Sequence, residues 1–274
     1  MPEEKTLTET PQCIIDQQGD VLDLVYERPH TMTDTRLHFC PGCGHSTAHK
    51  LIAEVIQEMN IQSEVIGVAP VGCAVFAYDY LNIDWQEAAH GRATAVATGI
   101  KRCYPDKYVF TYQGDGDLAA IGTAETIHSI NRGENILIVF INNAVYGMTS
   151  GQMAPTTLEG MKTTTSPFGR DVHKVGWPIK VSELVAPLPG ALYVTRQAVH
   201  TPNYARKAKK AIMNAFKYQK LHAGACLVEI VSNCPSNWKM NPVDTMKFVD
   251  EHMLKYYPLG DVKLPPKELI SKLD

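Results

Sequence analysis

GDGDLAAIGTAETIHSINRGENILIVFINN, residues 114–143, sets a carboxylate between two glycines near its start and a pair of carboxamides at its end. Lys107-Tyr108-Val109-Phe110-Thr111-Tyr112 leads in as a strand. Leu118, Ile121, Ala124 and Ile127 recur at helical spacing, and Asn131-Arg132-Gly133 reads as the helix stop. Asn135 to Ile141 is a near-continuous apolar run, as expected of a parallel strand covered on both faces. GDGD alone is a common turn and Asn-Asn alone a common loop. Joined by this pattern they make one βαβ unit with polar groups at both carboxyl ends, the edge at which open parallel sheets bind ligands. Asp115 plus a carboxamide is an oxygen-only donor pair, which suits Mg²⁺ with positions left open for a diphosphate. The flanking glycines allow the backbone to approach phosphate oxygens closely.

Outward from this unit the chain continues in the same idiom. Ser46 to Met59 is expected as a helix burying Leu51, Ile52, Val55, Ile56 and Met59. Glu64 to Ala69 is a short strand ending in Pro70-Val71-Gly72-Cys73, and His90 through Cys103 is a second helix. Residues 153–180, rich in Thr, Pro and Gly, read as a large active-site loop. Leu192-Tyr193-Val194 and Ala225 to Val231 are further strands. Thr201-Pro202 is an N-cap and first-turn pair for a helix reaching about Lys220. The expected fold is α/β, an open and mostly parallel sheet with helices on both faces. Three regions are expected: an N-terminal arm over 1–36, a binding domain over 37–236 and a partner-facing tail over 237–274.

The chain has 274 residues and a formal net charge of -3, which gives no reason to expect a nucleic-acid footprint. No apolar run is long enough to span a bilayer, and Met1 to Leu7 lack the regions of a signal peptide, so a cytoplasmic protein with no membrane association is expected. Seven cysteines in such a chain favour metal ligation or buried thiols over a disulfide framework. Cys40-Pro41-Gly42-Cys43 can put two thiolates on one centre; alone it fits a zinc knuckle, a redox pair or an iron–sulfur ligand pair. Cys73 and Cys234 both follow predicted strands, at the same edge as GDGD and NN. Cys13, Cys103 and Cys226 show no such placement.

With 25 residues between Gly116 and Asn142, the unit resembles the thiamine diphosphate motif, in which GDG is followed by NN at such a distance. Together with Cys40-Pro41-Gly42-Cys43-Gly44-His45, Val71-Gly72-Cys73, His90-Gly91-Arg92, Tyr146 to Gln152 and Cys234, the chain resembles the beta subunit of 2-oxoacid:ferredoxin oxidoreductases. That is the thiamine diphosphate and iron–sulfur subunit, and the likeness is nearest the 2-oxoisovalerate and 2-oxoglutarate members. It covers residues 40 to about 240. The resemblance implies the diphosphate-domain fold, with Mg²⁺ held by Asp115, Asn143 and the carbonyl of Val145. It implies Val71, Gly72, Cys73, Ala74, Gly116, Asp117, Gly147 and Met148 about the cofactor, with His90 on the diphosphate, although a histidine at a helix start is otherwise more often structural. Cys40, Cys43, Cys73 and Cys234 would ligate one [4Fe–4S] cluster. The implied reaction is oxidative decarboxylation of a 2-oxo acid to an acyl-coenzyme A, with electrons passing through the cluster to ferredoxin. The glutamate that activates the cofactor belongs, in the family, to an alpha subunit with a pyrimidine-binding domain, so the chain is expected to be inactive alone, and further small subunits are compatible with it.

Substrate choice rests on Cys73-Ala74-Val75-Phe76-Ala77-Tyr78, which has no charge before Asp79. Members using 2-oxoglutarate resemble one another in carrying a basic residue there. An apolar pocket around Phe76 could not hold a second carboxylate, so a branched-chain substrate such as 2-oxoisovalerate is expected, with 2-oxoglutarate the alternative. Phe76 packing in the core is the plainer reading. A cluster-free thiamine enzyme and a non-catalytic scaffold with a structural zinc site are the rival classes.

Overall fold

A computed structural model describes residues 14–15, 21–22 and 25–273. The apolar run after Asn135 forms the central strand of a seven-stranded sheet. In chain order the strands are β1 (Ile14–Ile15) and β2 (Val21–Leu22), a small antiparallel pair, then β3 (Val65–Ala69), β4 (Asp84–Glu87), β5 (Tyr108–Gly114), β6 (Leu137–Asn142), β7 (Ala191–Ala198), β8 (Ala225–Val231) and β9 (Gly260–Lys263). The large sheet runs β4-β3-β5-β6-β8-β7-β9, parallel throughout except for β9. Every residue of β6 and β8 is buried, which explains why both read as continuous hydrophobic runs instead of alternating ones.

The helices include α1 (Gly44–Glu58), α2 (Ala77–Tyr80), α3 (Ala93–Cys103), α4 (Thr123–Asn131), α5 (Val172–Val175), α6 (Val181–Val185), α7 (Pro202–Gln219), α8 (Pro235–Trp238) and α9 (Pro242–Phe248). One face of the sheet carries α1 and α7, whose Ile52, Val55, Ile56, Ile212 and Phe216 pack on Phe110, Tyr112, Val139 and Val228. The other carries α3, α4 and α6, with Ala93, Ala97, Ile130, Val181 and Val185 against Val109, Ile138, Phe140 and Leu227. Each fully buried side chain of this size contributes about 1.5–3 kcal/mol over its exposed state. Thr201 caps α7 as its sequence suggests, accepting from the Tyr204 N–H at 3.3 Å.

Three expectations need correction. The stripe Leu118, Ile121, Ala124 and Ile127 is not the buried face. Asp117–Ile121 is a π-helical turn, closed by the Gly122 N–H on the Asp117 carbonyl at 2.9 Å. Its extra residue rotates α4 by about 100°. Ile121 is therefore half exposed and Ala124 exposed, while Leu118, Ala119, Thr126, Ser129 and Ile130 face inward. Second, α3 starts at Ala93 and not His90, because Gly91 takes a left-handed φ of 75° and gives its N–H to Asp117. Third, the segment from residue 237 folds onto the body. Its Trp238, Val249, Met253 and Tyr257 pack with Ala144, Val145 and Val231, and β9 pairs with β7. Of the expected N-terminal arm, most lies outside the described residues, as does Cys13. Its later part lies on α1, where Thr31 Oγ1 donates to the Ala53 carbonyl at 3.0 Å. Among the described residues no helix is long and apolar enough to cross a membrane.

Candidate functional site

Strands β3, β5, β6 and β8 are consecutive neighbours, so the polar groups at their carboxyl ends stand in a row: Val71-Gly72-Cys73, Asp115, Asn143 and Cys234. Gly114 pairs with Ile141 in the β5–β6 register, which brings Asp115 beside the carboxamides. In front of this row is a cleft of about 540 Å³, counting the solvent space at its mouth. Of the expected cofactor and metal residues, Val71, Gly72, Cys73, His90, Asp115, Gly116, Asp117, Asn143, Val145, Gly147 and Met148 line it. Ala74 does not; it is 1 % exposed within the core beneath α1. Phe76 does not either. It is 39 % exposed and meets His38 edge-on at 5.1 Å, because the chain turns into α2 after Cys73 and carries the ring away from the cavity.

Asp115 is 2 % exposed. Its Oδ2 accepts from Thr156 Oγ1 at 2.7 Å and the Val145 N–H at 3.2 Å, and its Oδ1 from the Gly116 N–H at 3.1 Å. Burial nevertheless pushes this carboxyl up to about 7, the hydrogen bonds offsetting only part of the effect. The Val145 N–H is shared with Asn143 Oδ1 at 3.3 Å, so the two side-chain oxygens converge on one point. A buried, all-oxygen pair whose carboxylate lacks a cationic partner among the described residues is matched to a hard divalent cation, which would stabilise the ionised form. Ala144, between them, has a φ of 58°, a left-handed conformation that costs a non-glycine residue about 1–2 kcal/mol.

Asp117 lines the cavity and also ties its wall together. Its carboxylate accepts from the Val71 N–H at 3.2 Å, His90 Nδ1 at 2.7 Å, the Gly91 N–H at 2.9 Å and Gln113 Nε2 at 2.7 Å. It is a knot that joins three segments of the cavity wall. A carboxylate only accepts, so His90 carries a proton on Nδ1 and keeps Nε2 as its remaining polar atom. Gly116 is required by packing: a Cβ there would lie 2.2 Å from Cε1 of Tyr146.

The thiols gather at the adjoining edge. Cys40 to Gly44 is a tight turn, with the Cys43 N–H on the Cys40 carbonyl at 3.0 Å. Asn233, next to Cys234, holds this turn through Nδ2 on the Gly42 carbonyl at 2.8 Å, while its own carbonyl accepts from Gly44 N–H at 3.5 Å. Asn237 Nδ2 reaches both Cys234 Sγ, at 3.4 Å, and the Gly147 carbonyl, at 2.8 Å. A Cβ on Gly147 would stand 2.9 Å from Cys73 Sγ, so glycine there lets the cavity wall touch the thiol set. Burial, then the neighbouring thiols, pushes Cys73 up to about 12; Cys43 rises to about 12 through burial and Cys234 rises as well. Cys40 is the exposed member. Among the described residues no three His, Cys, Asp or Glu side chains close to the spacing of a single bound ion.

Several residues went unread in the sequence. His45 lines the cavity, bonds Tyr112 through Nδ1 at 3.1 Å and stacks on Phe39. Burial, then His49 and His38, pushes it down to about 3, so it is a neutral imidazole at physiological pH. Behind Asn142 lies a buried network: Asn142 Nδ2 donates to Glu229 Oε1 at 2.8 Å, and Glu229 pairs with Arg196 at 2.9 Å, which also pairs with Glu183.

A domain model described as "Thiamine pyrophosphate enzyme, C-terminal TPP binding domain" matches residues 70–230. This span holds Cys73 and the whole Asp115–Asn143 unit but not Cys40, Cys43 or Cys234. The chain is 45 % identical over 247 residues to ketoisovalerate oxidoreductase subunit VorA of Methanothermobacter thermautotrophicus, covering 90 % of this chain and 52 % of that one. It thus spans about half the length of that relative. To 2-oxoglutarate synthase subunit KorB of Methanocaldococcus jannaschii it is 36 % identical, over 85 % of this chain and 86 % of the other. A solved 2-oxoglutarate:ferredoxin oxidoreductase from Magnetococcus marinus, with 2-oxoglutarate, coenzyme A and succinyl-CoA bound, superposes with a TM-score of 0.73 at 25 % identity, covering 88 % and 86 % of the two chains.

Proposed function

This chain belongs to the thiamine pyrophosphate-binding subunits of the 2-oxoacid oxidoreductases, and on that premise we propose that it is the thiamine diphosphate and iron–sulfur subunit of a 2-oxoacid:ferredoxin oxidoreductase. The observation that carries the reading is the single row of strand ends that bears Cys73, Asp115, Asn143 and Cys234, with the Cys40–Cys43 turn tied to it through Asn233. When bound, thiamine diphosphate supplies the electron sink for decarboxylation, and a [4Fe–4S] cluster takes electrons singly.

The chain's own residues do the holding. Asp115 and Asn143 would offer side-chain oxygens to Mg²⁺, with the backbone carbonyl of Val145 as the third ligand. Gly116 and Gly147 keep the cavity open to the cofactor's backbone contacts. Asp117 fixes His90 so that its ring faces one position only. Cys40, Cys43, Cys73 and Cys234 would hold the cluster, with Gly147 and Asn237 keeping it against the cofactor cavity. No glutamate lines the cavity among the described residues, which supports a partner subunit as the source of the activating carboxyl. Exposed Met148, Ile121, Phe168 and Trp177 supply apolar surface for that subunit.

The substrate proposed is a branched-chain 2-oxo acid. Among the described residues no lysine or arginine lines the cavity to pair a distal carboxylate, and burying an unpaired charge is very costly. Phe76, turned away from the cavity, takes no part in this choice. The likeness to KorB over nearly its whole length favours 2-oxoglutarate as the second reading. The test is coenzyme A-dependent reduction of a viologen dye by the anaerobically purified complex. Higher kcat/KM for 2-oxoisovalerate supports the substrate; higher kcat/KM for 2-oxoglutarate overturns it. No turnover of any 2-oxo acid overturns the reaction class.

A further inference from the structure

Residues 154–157 sit between the cavity and the C-terminal segment, and all four of their carbonyls are taken by two side chains. Arg170, 5 % exposed, donates through Nη1 to the carbonyls of Ala154 at 3.1 Å, Pro155 at 3.0 Å and Thr157 at 2.9 Å. Tyr257, fully buried, donates its hydroxyl to the Thr156 carbonyl at 2.7 Å. A guanidinium spent on carbonyls alone, with its other nitrogens on Gly176 and Trp177, fixes a loop that has no sheet or helix of its own to hold it.

The two threonines in the middle point at the two strand ends that matter. Thr156, fully buried, is the only side chain among the described residues that donates to Asp115, and its 2.7 Å bond is the shortest that carboxylate receives. Thr157 Oγ1 donates to the Ala144 carbonyl at 2.6 Å and accepts from the Ala154 N–H at 2.8 Å. Ala144 is the residue with left-handed φ whose turn aims the Val145 N–H at both Asp115 and Asn143. One hydroxyl thus orients the carboxylate and the next holds the strained turn.

We propose that residues 154–157 are a positioning clip, seated by Arg170 and Tyr257, through which Thr156 and Thr157 set Asp115 and the Ala144 turn for the divalent cation of the cofactor. Through Tyr257 the C-terminal segment thereby acts on Asp115, with which that tyrosine makes no hydrogen bond of its own. The inference rests on the cofactor reading given above. Supporting groups of this kind typically govern metal affinity by about 10–100-fold.

The test uses the full-length chain with the subunits it purifies with, titrated with Mn²⁺ in the presence of thiamine diphosphate and followed by electron paramagnetic resonance. Thr156→Val, which keeps the shape and removes the donor, is expected to weaken Mn²⁺ binding by about 10–100-fold. Thr156→Ser, which keeps the donor, is expected to recover most of the affinity, and Tyr257→Phe to show a smaller loss. Metal-free thermal midpoints near that of the parent chain identify the loss as one of positioning. Parental affinity in Thr156→Val, or a Thr156→Ser variant as weak as Thr156→Val, overturns the clip. A parent chain that binds no Mn²⁺ with thiamine diphosphate overturns the cofactor reading itself, and the clip with it.

Discussion

Replacing Asp115 by Asn isolates the electrostatic strain that the metal-free site carries. The carboxyl is moved by burial from 3.8 to about 7, which corresponds to on the order of 4 kcal/mol once it is fully ionised. The folded value lies above the unfolded one. The stability this carboxyl contributes is therefore complete below about pH 4 and is lost as pH rises through 7. An amide in its place does not ionise. It loses about 1 kcal/mol where its nitrogen faces the Gly116 N–H, the donor now on Oδ1. The net effect is a metal-free variant more stable than the parent at pH 8, by up to about 3 kcal/mol, and no more stable at pH 4. For a chain of this size that is a Tm gain of about 6–12 °C. The assay is thermal unfolding after chelation, at pH 4 and pH 8, repeated with Mg²⁺ and thiamine diphosphate. Ligands should raise the Tm of the parent and leave the variant unmoved. A variant that melts lower than the parent at pH 8 without metal, or that gains equally from the ligands, refutes the reasoning.

The same carboxyl predicts that Mg²⁺ affinity falls about tenfold for each pH unit below 7, since the cation competes with a proton; calorimetric titration between pH 5.5 and 8 reads it. Gly116→Ala forces a Cβ into the Tyr146 ring and is expected to weaken thiamine diphosphate binding at least tenfold. Adding Tyr146→Ala should recover most of it, and equal losses in single and double variants would exclude the steric account. Asn237→Leu removes the N–H donor on Cys234. At about 1 kcal/mol for such a bond, the cluster potential should drop by on the order of 40 mV in a redox titration monitored by electron paramagnetic resonance. Arg196→Met strands the buried Glu229 and should destabilise the chain by about 3–5 kcal/mol, seen as a lower denaturation midpoint.

The parts of the site legible in the sequence are those fixed by strand ends. Strands β5, β6 and β8 are buried and mostly apolar runs, so their limits, and with them Asp115, Asn143 and Cys234, could be placed from composition and spacing. Side-chain direction past a strand end follows no period, and there Ala74 and Phe76 depart from expectation: one turns into the core, the other out to solvent. The π-helical turn has no compositional signature, and it shifts the buried face of α4. Strand β4 is polar and nearly all exposed, so hydropathy could not register it. Thr156 lies 41 residues from the carboxylate it serves, within a loop held by Arg170 and a tyrosine from the C-terminal segment. Such links exist only through tertiary packing. The Pro-Thr-Thr run at 155–157 was the one local hint, since buried hydroxyls in a loop need partners.

The central claim is that one sheet edge joins a thiamine diphosphate site to an iron–sulfur cluster held by Cys40, Cys43, Cys73 and Cys234. Metal and acid-labile sulfide analysis of the anaerobically purified chain, with its visible spectrum before and after dithionite, tests it most directly. The expected result is brown protein carrying iron and sulfide in cubane proportion, with broad absorption that dithionite bleaches and that is lost on Cys234→Ser. Colourless protein with stoichiometric zinc would contradict it.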